Sequence, residues 1–327
     1  MSEPSSDPPP PLIDRLRDEP FRLFFPLGVL ASVWGAMLWP AYYAKWIAWY
    51  PLEAHARLMV TGFAGCFIVG FLGTAGPRLV GAKPFRRWEF SWHALLAVVV
   101  MGCLVCNRVA LADLLTGVWL LGVLASLGYR LLRERDDVPP PGFPVAMVAI
   151  LLGAVAAAQL GAAGFGWATP TGFSYSLNRL LLFQGLIWWP IVGVAPFILP
   201  RFFGRKSEHG FDESLRIPDG WWSKAVFSLA AAGLIGVSFV MEARGMLVAG
   251  QWVRAVIVLG YLPAAIPGLL ERTGRGALVM AIRLSFLGGL AGWVVAACYP
   301  QTRIGSLHLG FVGGGGLLML VVACLLY

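Results

Sequence analysis

The sequence predicts an all-α fold: a polytopic membrane helix bundle of about ten transmembrane helices, built from parallel four-helix repeats, the third incomplete. Three observations carry this. Hydrophobic residues make up 58% of the 327-residue chain and charged residues 13%, about half the charge of a soluble domain, with a mean hydropathy of +0.73. The apolar runs are long and continuous, without the period-2 alternation of a barrel strand, so they read as helices. Lys and Arg alternate strongly between the two sets of loops.

Each span needs roughly 20 apolar residues to cross the hydrocarbon core. The runs place spans at about 23–46, 55–77, 91–110, 112–130, 144–165, 178–200, 223–243, 247–270, 277–298 and 306–326. With the N-terminus in the cytoplasm, 18 Lys and Arg fall inside and 7 outside, which predicts both termini cytoplasmic. The net charge of +8 is then a topology signal, and nucleic acid is excluded as a partner in favour of the lipid bilayer. Residues 1–20 are polar and Pro-rich and read as a disordered tail; residues 21–327 form one transmembrane domain.

Within that domain, residues 55–81 and 178–204 are two copies of one helix. They share eight identical positions without a gap, from Leu58/Leu181 to Pro77/Pro200, Arg78/Arg201 and Gly81/Gly204. A weaker third copy starts at His308. The copies define units of about 21–135, 143–272 and 277–327, related by parallel repetition, and a binding site is expected where copies meet. The third unit lacks two spans of the pattern, the mark of lost helices or of a shortened form.

His55, Asn178 and His308 occupy equivalent positions, each seven residues before a glycine: Gly62, Gly185 and Gly315. Seven residues are about two helical turns, so each residue shares a face with its glycine. Met59 lies on the same stripe as His55. Small residues on such a face permit close helix packing or admit a flat ligand. Paired neutral imidazoles facing one cavity could ligate haem iron or copper. The bland alternative for the histidines is an interfacial side chain bonded to a helix end. His93 reads as a helix-end anchor and His209 as a solvated loop residue. Glu242 and Arg254, within apolar runs, are expected to turn inward and pair. Cys103 and Cys106 form a C-x-x-C placed mid-span and read as small core residues. There is no Walker, G-x-G-x-x-G, G-x-S-x-G or H-E-x-x-H motif, so soluble-type hydrolase or nucleotide chemistry has no apparatus.

PFRLFFPLG at residues 20–28, HARLM leading into GFAGCFIVGFLGTAGPRLVG at residues 55–81, and HLGFVGG at His308 resemble the NnrS family of polytopic inner-membrane proteins. The resemblance implies haem and copper as cofactors and a part in nitric oxide metabolism or nitrosative-stress tolerance. Ala56 and Arg57 follow His55 where the family commonly has glutamate, and ILPRFFGR stands where the family has a G-H-T-G-R-like end. Only His55 and His308 therefore carry over as candidate metal ligands, and the departures weaken copper more than haem. Two other readings stay open: a transporter or permease using the repeat interface, and a degenerate scaffold without cofactor. Enzymatic turnover is not legible.

Overall fold

A computed structural model describes residues 11–271 and 276–326. A short helix α1 (Leu12–Asp18) precedes ten helices long and apolar enough to cross a membrane among the described residues: α2 (Phe21–Tyr43), α3 (Leu52–Leu79), α4 (Arg87–Val105), α5 (Val109–Glu134), α6 (Phe143–Gly164), α7 (Gly172–Phe203), α8 (Trp221–Ala243), α9 (Leu247–Ala265), α10 (Ala277–Cys298) and α11 (Pro300–Cys324). No strand occurs among them. The mid-helix positions Leu30, Val33, Val98, Leu121, Val256, Leu284 and Leu287 are exposed. Apolar surface of that extent belongs against lipid. Exposed aromatics at the helix ends, Tyr43, Trp46 and Trp167 at one end and Trp88 and Trp222 at the other, match the belts that anchor spans at the headgroups.

Two departures from the sequence reading concern helix ends. The N-terminal segment was expected to be disordered through residue 20, yet residues 12–18 are helical and tied to the bundle by a bidentate Asp14–Arg87 bond (2.8 and 2.6 Å). The first ten residues lie outside the described part. The third span, expected to run to residue 110, stops at Val105.

Two apolar cores divide the bundle. One gathers α3, α4, α5 and α6 around Trp119, Leu120 and Ala146. The other gathers α7, α8, α9 and α10 around Trp188, Phe239 and Val258. Between them, Val60 and Ala64 of α3, Ile187 of α7, and Phe311 and Met319 of α11 close into one small cluster. The three helices that carry the repeated motif thus meet. All three also contain a π-helical stretch near their start: Leu58–Ala64, Leu181–Gly185 and Leu309–Gly316. Such turns widen the helix locally and concentrate at functional sites. The paired glycines that end the first two copies, Gly81 (φ +64°) and Gly204 (φ +66°), are both left-handed, a conformation that favours glycine at a helix exit.

α11 docks on α10 by backbone contact. A Cβ added to Gly292 would sit 2.7 Å from Gly310 Cα and N, and one on Gly288 would sit 2.7 Å from the Gly313 carbonyl. Only glycine allows this approach, which is the small-residue packing of membrane helices. It fixes where His308 stands.

Candidate functional site

The first turn of α3 sorts its side chains by helical geometry. Glu53 and Arg57, four residues apart, share one face, and His55 points to the other. On the His55 side, Gly35 of α2 comes close. A Cβ at Gly35 would meet Leu58 Cβ at 3.1 Å and Met59 Sδ at 3.7 Å. That proximity lets His55 Nδ1 donate to the Gly35 carbonyl at 2.9 Å. His308 Nδ1 bonds the Ile304 carbonyl at 2.8 Å. A carbonyl can only accept, so in each neutral ring Nδ1 carries the proton and Nε2 keeps its lone pair. The two rings lie side by side and near-parallel, with centroids 6.1 Å apart and planes inclined by 19°. Trp39 packs edge-on against His55 at 5.8 Å. His55 is half-buried and His308 exposed.

Sequence separation between these rings is 253 residues, so the bundle alone brings them together. The other predicted positions go elsewhere. Asn178 is buried and donates to Gln159 of α6 at 2.7 Å. The motif glycines each abut a neighbour. A Cβ on Gly62 would lie 2.8 Å from Ala31 of α2; on Gly185, 3.3 Å from Trp189; on Gly315, 3.2 Å from Ile187 of α7. Met59 stays beside Gly35 and His55.

The other face of α3 carries charges that the sequence reading did not assemble. Arg57 is buried and forks onto Asp113 of α5, Nε to Oδ1 at 2.6 Å and Nη2 to Oδ2 at 2.7 Å. It also pairs with Glu53, which in turn accepts from Arg179 of α7 at 2.7 and 2.8 Å. Glu53, Arg57 and Asp113 border a cavity of about 630 Å³ that Arg108, Leu160 and Tyr175 also line. Asp113 sits in an apolar run and could have been found by the argument that singled out Glu242.

A second network joins α7, α8, α9 and α11. The expected Glu242–Arg254 pair is formed. Arg254, fully buried, also donates to Gln184 at 2.7 Å and Ser238 at 2.8 Å, while Gln251 and Arg303 complete Glu242. Buried charges need this saturation with partners. Gln184 and Gln251 were visible as polar residues within apolar runs, but their common target was not.

At the opposite end, His93 is buried, with Nε2 3.1 Å from Ser126 Oγ beside the buried Glu89–Arg130 pair (2.7 Å). His209, expected to be solvated, is instead 1% exposed, because the loop that carries it folds back on α7: Ser207 Oγ donates to the Pro196 carbonyl at 2.9 Å and accepts from the His209 amide. Burial, reinforced by Lys224, pushes its imidazole down to about 4. The hydrogen bond from Arg87 holds the Asp14 carboxyl below the usual carboxylate range.

Fold and site together define a multi-pass helical membrane protein with two imidazoles paired at one end of the bundle. No group of three or more His, Cys, Asp or Glu able to hold a metal ion occurs among the described residues. The chain belongs to the NnrS family: the model of the NnrS protein matches residues 15–326. No curated protein and no solved structure matches the chain.

Proposed function

We propose that this protein is a haem-binding membrane protein of the bacterial inner membrane, active in nitric oxide metabolism or nitrosative-stress tolerance, with His55 and His308 as the ligating side chains. The proximity of these two rings, from helices distant in sequence, is the observation that carries the reading. Two imidazole centres 6.1 Å apart are close enough for rotation of the rings to aim both Nε2 atoms at one metal. The Nδ1-to-carbonyl bonds are the outer support typical of metal-ligating histidine, fixing ring orientation and leaving Nε2 as donor.

The donor set would suit haem, whose iron is commonly held by protein imidazole, with His55 and His308 as the residues that would hold it. It fits copper less well. Two imidazoles with the Met59 thioether near one of them would suit only a soft, low-coordinate ion. Haem, when bound, would supply an iron centre that could take nitric oxide in exchange for one of the two imidazoles. The chain's own part is to aim the two rings, to anchor the His55 segment through Arg57, and to offer small residues for close packing: Gly62 against Ala31 of α2, Gly185 against Trp189 and Phe239, and Gly315 against Ile187 of α7. Nitric oxide is small and uncharged and crosses apolar surroundings freely. Positive-inside bias supports a periplasmic histidine end and cytoplasmic termini.

Purified protein from haem-replete cells is expected to show a Soret band that nitric oxide shifts and that His55→Ala or His308→Ala diminishes. A band unchanged in either variant overturns the assignment. The buried Glu242–Arg254 pair supports a second reading, a permease using the interface of the repeated helices. An uptake phenotype abolished by Glu242→Gln yet intact in the histidine variants would select it.

A further inference from the structure

The C-x-x-C pair does not sit where the sequence reading placed it. Because α4 ends at Val105, Cys106 caps the helix and is exposed, and Cys103 lies half-buried in the final turn. The chain then leaves the helix at once. Asn107 is left-handed (φ +56°), and the Arg108 amide donates to the Cys103 carbonyl at 2.7 Å. A Cβ on Gly102 would meet nothing within 4 Å, so the surface here is open. Cys103 packs against the cluster of Ala54, Leu58 and Leu104, beside the turn that carries His55.

Residues three apart on a helix have Cβ atoms about 5–6 Å apart, and a disulfide needs roughly 3.5–4.5 Å. Tightening by about 1–2 Å closes the difference, and it falls on the last turn, where no further helix has to follow. The two thiols also differ in access: one is open to solvent, the other is shielded one turn back. That asymmetry is the arrangement of an attacking and a resolving cysteine. Cys66, by contrast, is buried in α3, and Cys298, exposed at the end of α10, has no cysteine within a turn of it in sequence.

We propose that Cys103 and Cys106 form a thiol–disulfide exchange site that takes low-molecular-weight disulfides as co-reactant. The Cys106 thiolate attacks one sulfur of the disulfide, forming a mixed disulfide and expelling one thiol. The Cys103 thiolate then attacks the Cys106 sulfur, and the second thiol leaves. The protein dithiol loses two electrons, the small disulfide gains them, and the two cysteine protons end on the released thiols. This reaction does not depend on a bound metal.

The test uses full-length protein in detergent, equilibrated with glutathione disulfide, acid-quenched, alkylated and analysed by peptide mass spectrometry. The wild type is expected to lose two alkylatable thiols and to yield a Cys103–Cys106 disulfide, unchanged by Cys298→Ser. Cys103→Ser is expected to accumulate the glutathione adduct on Cys106, and Cys106→Ser to react several-fold more slowly at Cys103. Two thiols that stay alkylatable in the wild type, or that collect glutathione independently without bridging, overturn the proposal. The wild-type measurement decides the matter even if a variant fails to fold. The Soret spectrum, which tests the haem reading, is not involved.

Discussion

Replacing Asp113 by alanine strips the buried Arg57, 3% exposed in the wild type, of both short hydrogen bonds of its fork. Removing one partner of a buried ion pair typically costs about 3–5 kcal/mol, because the remaining charge stays desolvated. Glu53 still faces Arg57, which puts the expected loss near the lower figure, about 3 kcal/mol. At roughly 2 °C per kcal/mol for a chain of this size, the melting temperature should fall by about 6 °C. Thermal unfolding followed by size-exclusion chromatography in detergent measures this. The double variant Arg57→Met with Asp113→Leu removes both charges and keeps the volume, so it should recover most of the loss. The same turn holds His55, so Asp113→Ala should also lower haem occupancy. An Asp113→Ala protein as stable as one with the exposed substitution Asp18→Ala would refute the reasoning, as would a double variant that loses the sum of two single losses.

Gly292→Ala should push α11 away from α10, at a cost of about 1–3 kcal/mol for overpacking, and weaken the Soret band by displacing His308. Gly305→Ala, whose Cβ meets nothing within 4 Å, is the silent control, and thermal melts with spectra of both variants check the pair. Stability should fall as pH drops from near 6.5 toward 4. Folded His209 titrates about 4, below its ordinary value of 6.5, so in that window the unfolded chain binds the extra proton and unfolding gains. The stability is present above the upper limit and lost on acidification; His209→Asn should flatten that part of the pH–melting curve. Arg254→Ala leaves Glu242 with Gln251 and Arg303 alone and should destabilise by about 3–5 kcal/mol, read by the same melts, with the histidine pair undisturbed in the spectrum.

Much of this was legible in the chain because a bilayer imposes a simple rule. Apolar runs of fixed length must be helices, and the ten spans follow with ends off by a few residues. The ends were misjudged where local chemistry decides them. Val105 ends α4 because Asn107 turns left-handed, a choice that hydropathy does not register, and the Cys103–Cys106 pair moved to the surface with it. Residues 12–18 form a helix because Asp14 finds Arg87, a partner 73 residues away. Within the site, His55 and His308 were singled out by matched positions in two copies, yet periodicity could not say that Asn178 would turn to Gln159, nor that the Gly35 carbonyl would hold the His55 ring. Those facts depend on which helix lies beside which, and a single sequence carries that only weakly. His209 was misread for a related reason: a polar loop reads as solvated, whereas this one folds over the end of α7.

The central claim is that two imidazoles from distant helices serve one prosthetic group. The most direct measurement is haem stoichiometry and visible spectrum for wild type, His55→Ala, His308→Ala and the double variant, purified together from haem-replete cells. One site predicts that both single variants lose the wild-type band and that the double variant is no worse than the more damaged single one. Independent, additive losses, or a full wild-type band in either single variant, would contradict it.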